Sequence, residues 1–600
     1  MKRFLTLLLL CSVTLLAGQE ARLAQQYFRD GEYEKAAVLY EKLFQENERN
    51  DYYFDRYVES LLAMEDYETS EKVIKRQLRK EPGDVRLYVV YGKVFERQYM
   101  EEEAMEQYRK AIDNLPKERF SVIRLANSFI GLTKYDMAIE TYEKGTQLLK
   151  DDYIFSYNLG DLYRRKGETP QMIENYLNSL EANPGRLNNI MTIFQRYLQG
   201  EEDFRELQKQ LYTRIQDKND AVFYPELLTW TFVQLKDYRN AFRQVKALDR
   251  RLRENGARVF QLAEIAGNDK AYDAAIEAYD YIVEEKGPTS SFYLDAKREA
   301  LQLRRDKITE GYDYTEEDLR ELESMYISFL DEFGRSQLTA GIILELAKLE
   351  ALYLNDLDEA IRLLSRMIEF PGIDLRIQAH GKLSLADFYL MKGEIWEATL
   401  LYSQVDKAFK EDILGHEARY RNARLSYYAG DFQWAQAQFD VLKASTSKLI
   451  ANDALDLSIF IMDNMGLDTT TLALEAYAQA DLLVFQNKFE EAFDQLDQLL
   501  TQFPEHSLLD DVLYLKSKIF TKKREYRKAA DALQRIIDNH SEEIRADNAL
   551  YELAELYEKH LGDIEKAMQL YETLFIDYSG STLAVIGRKN YRRLRGDDVQ

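Results

Sequence analysis

Cysteine is almost absent: one residue, Cys11, in 600. Proline is scarce at 8 and glycine at 26, against average usage of about 5% and 7%. Each shortage removes a class. A lone cysteine gives no disulfide framework. With so few turn-makers the chain cannot hold many short strands or Pro-rich linkers. Hydrophobic residues at 46% beside 31% charged residues exclude a disordered chain and a polytopic membrane protein. Cations are also short, with 80 Lys and Arg against 105 Asp and Glu, a net charge of −25. Nucleic-acid binding, which depends on cations neutralising phosphates, is disfavoured. What remains is an all-α chain.

Residues 1–18 have the form of a cleaved secretory signal. Lys2 and Arg3 precede an apolar run from Phe4 to Leu16, and small Ala17 and Gly18 follow. The run is short of the roughly 20 residues that span a bilayer. Cys11 lies inside it, so the mature chain has no thiol, which suits an oxidising compartment. The expected location is the periplasm or the outer membrane's periphery, with no span in the mature chain.

What is present is a ruler. Ala36, Ser70, Ala104, Ala138 and Met172 recur every 34 residues, as do Tyr40, Ile74, Tyr108, Tyr142 and Tyr176. Such a period marks stacked helix pairs. A small residue lets the second helix (B) of a pair approach the first (A), and an aromatic four residues later lies on the same face. Gly92 and Gly160 supply close approach on helix A, while Gly31 and Gly167 occupy the turn between helices. Pro82, Pro116 and Pro184 end pairs, because proline cannot continue a helix.

The stretches Leu87–Pro116 and Tyr157–Pro184 carry a Gly-Tyr/Phe-Ala-Tyr-Ala-Pro pattern that resembles the tetratricopeptide repeat (TPR) family. Met172 and Ser179 depart from its alanines. The resemblance implies an α-solenoid of roughly 14 helix pairs in two arrays. An N-terminal array covers 19–288, with a degenerate pair at 186–220 and later markers at Ala241 and Ala275. An irregular helical hairpin, 289–334, opens with a capping box at Thr315–Asp318. A second array covers 335–579, with Ala360, Ala398 and Ala435, then Ala492, Ala529 and Ala567, at spacings of 38 and 37. The long gap after Ala435 leaves room for an extra helix at Ser447–Met465. A basic capping helix and tail take 580–600. The C-terminal repeats also look like those of periplasmic outer-membrane-assembly and Tol–Pal-associated proteins.

Catalytic patterns fail. The sequence from His416 to Tyr420 puts tyrosine where a zinc-protease helix needs its second histidine. Gly381-Lys382 lacks the rest of a phosphate-binding loop, and acids are plentiful enough to be solvated helix surface. No enzyme, cofactor or metal is expected. Many of the 42 tyrosines fall on the ruler positions that pack between helices.

The concave groove is the candidate binding surface. By register, repeats three to five place Arg86, Lys93, Arg97, Asn127, Tyr157, Asn158, Arg164 and Arg165 on helix A faces. Asn127 and Asn158 sit where the family's carboxylate-clamp members carry asparagines, whereas the clamp's cation positions fall on Ile123, Asn188 and Thr192. Two basic stretches, Lys236–Arg258 and Arg588–Arg595, offer contacts to an acidic partner or lipid headgroups. The expectation is a non-enzymatic scaffold of the bacterial cell envelope that binds other proteins in its grooves. The alternatives are a self-associating envelope spacer and a glycan- or lipid-binding solenoid.

Overall fold

The computed structural model describes residues 19–597, except 49, 219, 312–313, 444–447, 466–469 and 505. The leader expected over 1–18 lies outside the described residues. The chain divides into two compact units, Met1–Ala296 and Lys297–Gln600. The division falls in the helix Tyr293–Gly311, inside the stretch that the sequence marks as a connector. Among the described residues the secondary structure is helical, with no strand.

The first unit is a solenoid of antiparallel pairs. A helix over 19–29 pairs with Tyr33–Glu46, and Asp51–Ala63 pairs with Tyr67–Lys80. Arg86–Arg97 pairs with Glu101–Asp113 and Ser156–Lys166 with Thr169–Ala182. The degenerate stretch forms two helices, Leu187–Tyr197 and a longer Glu201–Asp217, the second of which packs on Thr169–Ala182 and Phe223–Gln234.

The ruler residues form the pair contacts. Ala36, Ala104, Ala138, Ala275, Ala398, Ala435, Ala492, Ala529 and Ala567 are each no more than 2% exposed. Tyr40, Tyr108, Tyr142 and Tyr176 are likewise buried. A Cβ on Gly92 would stand 2.3 Å from the Tyr108 ring, and one on Gly160 would stand 2.9 Å from Tyr176. The same rings reach the next pair: Tyr108 meets Phe129 at 5.7 Å and Tyr176 meets Phe194 at 6.0 Å. Between the helices, Gly31, Glu65, Tyr99, Thr133 and Gly167 all have positive φ, each 34 residues after the last. Only two of these five are glycine. Thr133, at φ 57°, is β-branched and least suited to that conformation.

The second unit keeps this scheme with longer helices. It begins with Tyr293–Gly311 and Glu316–Phe333, whose capping box at Thr315 and Asp318 is formed. Three pairs follow: Ala340–Leu352 with Leu357–Met367, Leu375–Lys392 with Ile395–Ala408, and Ile413–Tyr428 with Phe432–Lys443. The additional helix is Lys448–Met465. Three further pairs are opened by Leu472–Phe485, Leu509–Lys522 and Ala546–Leu556, and Leu583–Arg595 caps the unit. One apolar cluster runs from Leu301 to Ile519.

Glu350 is a polar exception within that core, 3% exposed. Burial first, then the neighbouring Glu323 carboxylate, push it up to about 7. It holds a proton in the folded chain at pH values where the unfolded carboxyl, at 4.5, has lost it. The native state then binds more protons than the unfolded state, so stability falls as pH rises from about 4.5 to about 7.

Three outcomes follow from these contacts. Gly92→Ala should destabilise the first unit by about 1–2 kcal/mol in urea unfolding, since overpacking against a buried ring exceeds the gain in helix propensity. Thr133→Gly should stabilise it by about 0.5–1 kcal/mol in the same assay by relieving the left-handed turn. Glu350→Gln should match the parent's melting temperature near pH 4.5 and exceed it by a few degrees above about pH 7. A variant that tracks the parent across this range would remove the buried proton.

Candidate functional site

The sequence-derived groove residues are largely engaged with their own chain. Arg86 is 7% exposed and clamped by Asp51, Asp55 and Asp84, at 3.2 Å from Asp51 and 3.4 Å from Asp84. This corrects its expected place on an open surface: the acids of the preceding repeat and of its own helix entry draw the guanidinium inward. Lys93 pairs with Glu59 at 2.9 Å. Arg164 and Arg165 share Asp161, and Arg164 also lies over the Tyr197 ring at 4.6 Å. Burial opposes ionisation of Asp161, but hydrogen bonds from the two arginines outweigh it and lower its pKa. Tyr157 donates to Asn189 Oδ1 at 3.0 Å, and Asn158 donates to the Tyr142 hydroxyl at 3.4 Å. Arg97 and Asn127 remain exposed.

A deeper cleft lies in the second unit. Three helices line it with side chains four, or three and four, residues apart, which puts them on one face. Ile413–Tyr428 supplies Glu417, Arg421, Arg424 and Tyr428. Leu472–Phe485 supplies Phe485, with Tyr477 and Asp481 behind it on the same helix face. Leu509–Lys522 supplies Lys522, with Tyr514 and Lys518 on the same face. The array curls enough for distant repeats to meet. The Gln486 side-chain amide donates to the Leu390 carbonyl at 3.0 Å, and the Arg524 guanidinium lies 4.4 Å from the centre of the Tyr314 ring. Two cavities of about 500 and 470 Å³ result, sharing Asp387, Glu417, Arg421 and Phe485.

The cleft's charges have a definite arrangement. Arg421 bridges Asp387 and Glu417, and Tyr402 donates to Asp387. Burial raises the Asp387 carboxyl, and Arg421 opposes the shift. Arg424 donates to the Tyr428 hydroxyl, stands 3.9 Å from Asp481 and lies 5.8 Å from the Phe485 ring centre. Burial pushes Tyr420 up to about 12, against the pull of Arg424. Farther along, Arg545 pairs with Asp511 at 2.8 Å and with Asp456 at 3.4 Å. What this arrangement offers is recognition: flat rings, held cations and a preformed cavity.

Register reasoning passed over this cleft. Its signal was legible in the four-residue stripes Tyr514-Lys518-Lys522 and Tyr477-Asp481-Phe485, but their convergence depends on how the longer repeats curl.

The helices that carry the cleft's cationic end lead into a recognisable segment. Residues 514–580 match the tetratricopeptide repeat family. No curated protein matches the chain. Among solved structures, the chain is similar to one described as Naa15/Naa10 bound to HypK-THB, at 14% identity over 97% of this chain and 96% of that one, with a TM-score of 0.26. A tetratricopeptide repeat protein from Parabacteroides merdae shares 12% identity over 47% of this chain and 92% of its own, with a TM-score of 0.28. Yeast Tom70 shares 12% over 97% and 96%, with a TM-score of 0.25. The all-α repeat class rests on the helix pairs themselves. No described helix is long and apolar enough to cross a membrane.

Proposed function

We propose that this chain is a non-enzymatic interaction scaffold, exported to the bacterial cell envelope, that binds a partner polypeptide in the cleft of its second unit. The observation that carries this is the cleft itself. Its walls are helices already held by pair packing, so a bound segment orders little of the scaffold. It joins half-buried Tyr420 and Phe485 to charged groups in a cavity wide enough for side chains. Export is supported by the character of residues 1–18, with Lys2 and Arg3 ahead of an apolar run and small residues after it.

Photo-crosslinking in the native cell tests both parts. A photoreactive residue at Ile413, 60% exposed at the cleft, should yield a discrete adduct with a partner polypeptide. The same residue at Val441, 56% exposed on Phe432–Lys443, should not. Identical products at both positions, or none at Ile413, would sink the scaffold function. The intact mass of the envelope-associated protein should correspond to loss of residues 1–18. Recovery of only the uncleaved chain, from the cytosol, would sink export.

A further inference from the structure

Charges in the cleft are unevenly matched. Arg421 is occupied by two carboxylates, Arg545 by two more, and Arg424 faces Asp481. Lys518 and Lys522, one turn apart on Leu509–Lys522, are exposed. Among the described residues neither closes an ion pair. Lys518 lies 4.6 Å from the centre of the Tyr514 ring, and Lys522 Nζ is 3.5 Å from the Val484 carbonyl oxygen. Burial lowers the Lys522 pKa, Lys518 and Arg424 add to that, and Asp481 opposes it. Among the described residues, two lysines on one face of this helix are thus left without a carboxylate at ion-pair distance.

Lys522 borders the cavity of about 470 Å³, and Phe485 joins that cavity to its neighbour, where Ile413 stands exposed. Ile413 is 60% exposed, although the following Leu414 and Ala418 are buried. With Leu390, Tyr420, Tyr428 and Phe485 it borders the cavity of about 500 Å³. Asp453 borders the same cavity from Lys448–Met465.

We infer that the cleft takes an extended polypeptide segment bearing a carboxylate side chain beside a bulky apolar residue. The carboxylate sits on Lys518 and Lys522, and the apolar side chain enters the cavity bounded by Ile413, Tyr420 and Phe485. This rests on the scaffold function above and adds the chemistry of the partner. One carboxylate relieves the repulsion of two lysines and gains charge-assisted hydrogen bonds. A cationic segment at the same place leaves like charges opposed, which supplies the discrimination.

Fluorescence anisotropy of the full chain with three labelled Gly/Ser-flanked peptides tests the inference. Their centres are Glu-Phe-Glu, Lys-Phe-Lys and Glu-Ala-Glu. The first should bind about tenfold or more tightly than either of the others. Combining Lys518→Glu with Lys522→Glu should abolish that preference, and the milder Lys522→Gln should weaken binding about threefold. Lys528→Glu, an exposed charge reversal on Tyr526–Asn539, should leave it unchanged. Circular dichroism melts confirm that each variant is folded. Equal affinity for Glu-Phe-Glu and Lys-Phe-Lys, or undiminished binding by Lys522→Gln, overturns the inference. A partner crosslinked at Ile413 and still captured by the double lysine variant leaves the scaffold function standing and removes this partner chemistry.

Discussion

The contact on which the rest depends is a tyrosine ring laid on a helix at a point where no side chain stands. Tyr108 covers Gly92 and Tyr176 covers Gly160, so closely that a methyl group would not fit at Gly92. Each ring then continues to an aromatic of the next pair, Phe129 or Phe194. One side chain thus sets both the distance within a pair and the distance between pairs. Burying such a ring contributes about 1.5–3 kcal/mol. Because each repeat touches chiefly its neighbours, stability accumulates pair by pair. The recurring left-handed residue at 31, 65, 99, 133 and 167 is the covalent counterpart of that contact, turning the chain so the two helices can meet. That the turn tolerates glutamate, tyrosine and threonine shows that packing outweighs the local backbone cost.

In the second unit the buried alanines are kept while the spacing stretches to 37 and 38 residues, and the close approach at Gly381 is made by Met367 rather than by a tyrosine. The added length appears in the first helices of the pairs: Leu375–Lys392 has 18 residues and Ile413–Tyr428 has 16, against 12 in Arg86–Arg97. Those longer helices carry the arginine, aspartate and tyrosine stripes of the cleft. Placing so many charges in a confined space is costly unless they are paired, and most are. Asp387 has both Arg421 and Tyr402, and Asp511 has both Arg545 and Asn464. The lysines at 518 and 522 are left over once these partnerships are formed, and they face the accessible side.

Much of the architecture is legible along the chain. The period of 34, the buried alanines and tyrosines, the helix at Lys448–Met465 and the capping box at Thr315 all depend on residues a few positions apart or on one repeated spacing. A helix presents the same face every three to four residues whatever surrounds it, so such patterns survive translation into structure. The degenerate stretch lost its signature residues and still formed two helices, because Ile190, Phe194, Leu207 and Leu211 kept an apolar face.

The candidate site behaves differently. Register alone assigns Arg86 to an inner surface, yet its neighbours are Asp51 and Asp55 of the preceding repeat, and they bury it. The cleft of the second unit brings Gln486 to Leu390 and Arg524 to Tyr314, pairs far apart in the chain whose meeting follows from the summed rotation of several repeats. The amino-acid order by itself determined the helices, their pairing and the faces they bury, because these follow from short-range periodicity and one recurrent ring contact. Which charges neutralise one another, and which two lysines remain open, was decided only by the tertiary structure, because curvature accumulates over many helix pairs and no local pattern records its total.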